Sequence, residues 1–107
     1  MRIRSIPVLA AVMAALSVAA LAAGMVTVSQ QNRAFSVGGL QIARGDTIRF
    51  SNDDKFRHQI YVESPSVKFE SDEQAPGSAV DIAFPQAGLF QVRCHIHPKM
   101  LLQVDVH

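Results

Sequence analysis

Of 107 residues one is cysteine, one is tyrosine and none is tryptophan. A single cysteine excludes an internal disulfide, so Cys94 is a free thiol, an intermolecular partner or a metal ligand. Runs of like charge are missing as well: ten Lys or Arg stand against nine Asp or Glu, with no basic cluster. Nucleic-acid binding draws on a basic patch that releases counterions, and that class is set aside. Beyond the first two dozen residues no apolar run repeats at helical period, which argues against a helical domain.

What is present begins with a segment unlike the rest. Arg2 and Arg4 precede an apolar run from Ile6 to Leu21, broken by Pro7 and Ser17, and Ala20-Leu21-Ala22 is a small-x-small cleavage pattern. Residues 1–22 read as a secretory signal peptide and residues 23–107 as one domain. With Arg2 and Arg4 removed, eight Lys or Arg face nine Asp or Glu, a net charge of about −1. The alternative is an uncleaved anchor, because no charge falls between Ser5 and Asn32 and a spanning helix needs about 20 apolar residues. Gly24, Thr27, Ser29 and Gln30 weigh against it. Both readings place the domain outside the cytoplasm.

Residues 23–107 break into short apolar/polar alternations punctuated by Gly, Pro, Asn and Asp, an all-β pattern. Met25 to Val28 opens a strand, Leu40 and Ile42 alternate before the turn Arg44-Gly45-Asp46, and "TIRFSN" follows with Ile48 and Phe50 on one face. Alternation likewise aligns His58, Ile60 and Val62; Val80, Ile82 and Phe84; Phe90, Val92 and Cys94; and Leu102, Val104 and Val106. Cys94 therefore shares a face with core residues. About seven short strands predict a β-sandwich, with residues 63–78, rich in Pro, Ser and acids, as a connecting loop.

The stretch "CHIHPKM", Cys94 to Met100, concentrates a thiol, two imidazoles and a thioether. Cys94, His97 and Met100 are spaced as C-x2-H-x2-M, which suits a loop between two strands, and Pro98 stiffens it by fixing φ. One thiolate, one imidazole and one thioether leave a metal site incomplete, and His58, heading a strand after the turn-forming "NDDKFR", is the candidate for the second imidazole. Two His, one Cys and a weak axial Met is the donor set of a type 1 copper site. Structural zinc prefers thiolates and imidazoles alone, and Met is a poor fit for it. A catalytic thiol needs a hydrogen-bonded base and an orienting group, and no recognisable motif supplies them.

On "GDTIRFSNDD", the isolated His58, Pro76-Gly77 and "FPQAGLFQVRCHIHPKM" before a last alternating strand, the sequence resembles the cupredoxins, the small type 1 blue-copper proteins, and among them the amicyanin type with its short ligand loop. The resemblance covers roughly residues 40–106. It implies a Greek-key β-sandwich with one copper ion on His58, Cys94, His97 and Met100. Two departures stand out: Gln59 follows the first histidine where relatives usually have Asn tying the two ligand loops together, and His95 follows the cysteine. With His97 and His107, His95 raises the question of an extra metal site, against the plainer reading of a solvent-facing strand residue; His107 reads as a frayed terminus.

The expected function is a periplasmic single-electron carrier, a monomer and not an enzyme, that docks transiently with redox partner proteins, His97 being the electron's exit. It touches a membrane only if the leader stays uncleaved. The alternative is a periplasmic copper-binding protein for copper tolerance or delivery. Leu101 and Leu102 beside the ligand loop are either core or an apolar collar for docking, and Glu70, Asp72 and Glu73 are either a solvated loop or a patch that steers a basic partner.

Overall fold

The computed structural model describes residues 23–107; the leader expected at 1–22 lies outside the described residues. Nine strands follow in order: β1 Met25–Gln31, β2 Ala34–Phe35, β3 Gly39–Ile42, β4 Thr47–Asn52, β5 Ile60–Glu63, β6 Lys68–Glu70, β7 Ala79–Ala83, β8 Gly88–Cys94 and β9 Leu101–Val106. They build a four-stranded sheet, β2-β1-β4-β7, and a five-stranded sheet, β3-β9-β8-β5-β6. Each sheet holds one parallel pair, β1 with β4 and β3 with β9, among antiparallel ones. The sandwich is all-β, as the alternation predicts.

The period-2 pattern works because one face of each strand is apolar and turns inward. Ile48 and Phe50 on β4, Ile60 and Val62 on β5, Phe90 and Val92 on β8, and Leu102, Val104 and Val106 on β9 are all buried and meet between the sheets. Phe84 and Phe90 lie 5.7 Å apart, centroid to centroid, within this core. Outward faces carry charge: Arg49 on β4 sits opposite Asp81 on β7, Nε to Oδ1 2.8 Å, an exposed pair that solvent screening leaves of little weight in stability.

Two strands escape the sequence pattern because they are too short to show a period. β2 closes a hairpin on β1 through Asn32 and Arg33, with φ of 55° and 56°, the left-handed pair of a type I′ turn. Arg33 in that region is unfavourable by itself, and its N–H is held by a 2.7 Å hydrogen bond to Asp54 Oδ2. β6 lies inside the stretch 63–78 expected to be loop, paired with β5 at the sheet edge. Beyond β6 the chain does cross from one sheet to the other.

Arg44-Gly45-Asp46 is a turn, as expected: Gly45 has φ 91°, and the Asp46 carboxylate accepts the N–H groups of Gly24 and Ala43 at 2.7 and 2.9 Å. His107 is better anchored than a frayed terminus. Its N–H donates to Ile42 O and its carbonyl accepts from Arg44 N–H, extending the β3–β9 ladder.

Candidate metal centre

Three of the sequence-selected side chains meet at one end of the sandwich. Cys94 ends β8, and alternation from Phe90 and Val92 turns its sulfur inward, where it is buried. The chain then reverses through residues 95–100, closed by Met100 N–H donating to His97 O at 3.0 Å, and re-enters the sheet as β9. His58 arrives from the other side of β8: it precedes β5, which pairs with β8 in the register Ile60 to Cys94. Reciprocal backbone bonds with Gln74, 3.2 and 2.6 Å, fix His58 in place.

His58 Nδ1 is 3.6 Å from Cys94 Sγ and 3.2 Å from His97 Nδ1, and the three donor atoms all lie within 4.8 Å of one another. Donors sharing one ion at roughly 2.0–2.3 Å stand about 3–4 Å apart, so these separations fit a single metal. His58 and Cys94 are fully buried, whereas His97 reaches the surface. Burial first, then the charges of His58 and Arg33, depress the His97 pKa, with Asp54 opposing; the neutral imidazole so favoured is the form that binds a metal. Met100 is buried in the core at this same loop.

No family model matches the chain. In sequence it is similar to the methylamine utilization protein MauL of Methylorubrum extorquens, 33% identical over 69 residues that make up 64% of this chain and 60% of that protein. In structure it is similar to a Cu-containing nitrite reductase from Thermus scotoductus (27% identity, TM-score 0.72, 86% of this chain and 24% of the other). Amicyanin from Paracoccus versutus (22% identity, TM-score 0.71, 78% and 81%) and a purple cupredoxin from Nitrosopumilus maritimus (21%, 0.68, 77% and 99%) superpose over most of their own lengths. The chain thus spans 60% of that curated relative and about a quarter of the nitrite reductase.

The chain has the cupredoxin fold. Its His-Cys-His cluster is of the kind that holds copper in a type 1 site: a thiolate and two imidazoles, soft enough for Cu(I) and basic enough for Cu(II).

Behind this cluster stands a residue that the sequence pattern places in a turn. Asp54 Oδ2 lies 3.1 Å from His58 Nε2, both side chains buried. Burial pushes the Asp54 carboxyl up, but hydrogen bonds from the Arg33 N–H, from His58 and from the Lys55 N–H outweigh it and hold the group below the ordinary carboxylate value. An ionised carboxylate only accepts, so Nε2 carries a proton and Nδ1 is the nitrogen that faces His97 and Cys94. An acid four residues ahead of the ligand histidine in "NDDKFRH" was the available signal.

Amide side chains complete the support. Asn52 Nδ2 donates to Phe56 O and Gln74 O while its Oδ1 accepts from Asp54 N–H, and Gln74 Nε2 donates to Phe50 O. Gln59 replaces the expected Asn by different means. Its side chain reaches Ser71 O at 3.0 Å, away from the ligand loop, while its backbone N–H donates to Cys94 Sγ at 3.4 Å and its carbonyl accepts from His95 N–H at 2.9 Å. The link between the two ligand segments is therefore main-chain.

His95 stays outside the cluster. Its ring stacks on Tyr61 at 3.8 Å and its Nε2 contacts Glu70 Oε2 at 3.2 Å, the solvent-side position that alternation predicts. His107 follows β9, seven residues beyond Met100, a distance of about 23 Å at strand rise, so His95, His97 and His107 do not share an ion. The two leucines divide: Leu102 is fully buried and Leu101 is exposed.

Proposed function

We propose that this chain is an exported single-electron carrier in which copper would be held by His58, Cys94 and His97, with the Met100 thioether as a further, weaker donor. The observation that carries the reading is the convergence of His58 Nδ1, Cys94 Sγ and His97 Nδ1 on one point, backed by a buried carboxylate. Copper bound there supplies a centre that passes between Cu(I) and Cu(II) without exchanging ligands. The chain's part is to keep the donors still. Asp54 holds the His58 ring, the Gln59 N–H accompanies the sulfur, and the Met100-to-His97 backbone bond closes the loop.

Burial of His58 and Cys94 keeps water from the thiolate side, and the surface position of His97 makes its ring the edge nearest a docked partner. Removal of residues 1–22 on export would leave the domain 23–107 free in the periplasm.

The rival use of the same donors is copper delivery for tolerance or transfer. Repeated oxidation and reduction in the presence of a Cu(I)-selective chelator separates the two. A carrier retains its copper through every cycle, and steady loss of Cu(I) to the chelator would favour delivery instead.

A further inference from the structure

The surface around His97 is aromatic and cationic. Phe56 meets the His97 ring edge-on at 5.9 Å and 67°, and the Arg33 guanidinium covers the Phe56 ring at 3.9 Å from its centroid. Lys55 Nζ lies 5.8 Å from the same centroid. In the ligand loop itself, Ile96 is 41% exposed and Lys99 is exposed.

These cations are uncommitted. Among the described residues Arg33, Lys55 and Lys99 have no carboxylate within ion-pair distance, while Arg57 faces Glu73 and Arg49 faces Asp81. The acids of the same segment are occupied: Asp54 is buried on His58, and Asp53 accepts the hydroxyls of Ser29 and Ser51. The position of Arg33 is built in rather than incidental. Two consecutive left-handed residues turn the hairpin, and Asp54 Oδ2 receives the Arg33 N–H as well as His58 Nε2, so one carboxylate ties the cation's backbone to a metal donor.

The outer face of β5, β6 and β8, to which alternation sends His95 while Cys94 turns inward, is mixed in charge: Glu63 and Glu70 stand there among Lys68 and Arg93. Unpaired cations are thus concentrated at the His97 end, whereas the sheet face balances its acids with bases.

We propose that the His97 end is a docking surface for a partner protein that presents carboxylates around a small apolar contact, with Ile96 and Phe56 as the apolar centre and Arg33, Lys55 and Lys99 as the charged rim. The proposal rests on the carrier reading for its purpose and on charge complementarity for its occupant. Rim charges of this kind steer encounter and set its salt dependence more than they set final affinity.

The test is nuclear magnetic resonance line broadening on the Cu(I)-loaded chain by a redox-inert anion, hexacyanochromate(III), and by the cation hexaamminechromium(III). The anion is expected to broaden the amide signals of Arg33, Phe56, Ile96, His97 and Lys99, and the cation to leave those signals unchanged. Raising ionic strength from about 0.01 to 0.15 M shrinks the Debye length from about 30 to 8 Å and is expected to weaken the anion effect. Arg33→Gln and, separately, Lys99→Gln, both exposed side chains, are expected to cut it several-fold, and Glu70→Gln to leave it unchanged.

Anion broadening scattered over all basic residues, cation broadening at His97, or broadening without any probe that disappears on dilution, the mark of self-association, would each overturn the proposal. Absorbance reports copper loading separately. A chain that takes up no copper yet maps the anion to the His97 end would sink the carrier reading and leave the docking surface standing.

Discussion

Asp54 and His58 are buried as a pair, Oδ2 to Nε2 3.1 Å, and the same carboxylate oxygen accepts the Arg33 N–H at 2.7 Å. One acid therefore holds the ring of a proposed metal donor and pins the hairpin that carries a surface cation. Partners of this kind typically matter 10–100-fold in metal affinity.

Asp54→Asn preserves shape and removes the charge. The variant is expected to fold, to lose Cu(II) affinity by roughly 10–100-fold, and to show a raised reduction potential because a negative charge no longer favours Cu(II). Competition titration and potentiometry read both. Wild-type affinity and potential in the variant would show that Asp54 serves the hairpin alone. Asp54→Ala strands the buried His58 Nε2 donor, which is expected to cost about 1–3 kcal/mol, and releases the part-buried N–H groups of Arg33 and Lys55.

Met100→Leu keeps volume and apolarity at a buried position, so stability is expected to change by less than about 1.5 kcal/mol in denaturant unfolding. The copper site is expected to persist with a higher potential, since the axial thioether tunes rather than builds it. Loss of copper binding would make Met100 a principal donor.

Acid sensitivity follows from the carboxylates. The Gly24 and Ala43 N–H groups hold the Asp46 pKa below its ordinary value, with burial opposing and His107 assisting slightly. A group depressed in the folded state contributes stability that is present above its unfolded pKa, near 4, and is lost as pH falls through the folded pKa. Asp53, bonded by two serine hydroxyls, and Asp81, bonded by Arg49, add in the same direction. Asp46→Asn is therefore expected to lower the melting temperature at pH 7, with the gap from wild type closing below about pH 4. A gap that stays constant with pH would mean the carboxylate charge has no part in the turn.

The strand faces and the Cys94–His97 spacing were legible because both depend on local rules. Alternation is enough to turn Phe90, Val92 and Cys94 inward together, and the 94–100 spacing is enough to bring His97 back over the sulfur. What was hidden depends on contacts distant in sequence. The Asp54–His58 pair reads as a turn until the loop is folded, β2 and β6 are too short to show a period, and the role of Gln59 lies in its backbone, where residue identity carries no signal. The sign of the surface at His97 was equally out of reach, since Arg33 lies 64 positions away from it.

The most direct test is the visible absorption and electron paramagnetic resonance spectrum of residues 23–107 after one equivalent of Cu(II), beside Cys94→Ser. The expected result is an intense thiolate-to-copper band with an unusually small copper hyperfine splitting in the native chain, and neither in Cys94→Ser. A pale, ordinary Cu(II) spectrum from the native chain, or a variant that keeps full colour, would contradict a copper centre built on Cys94.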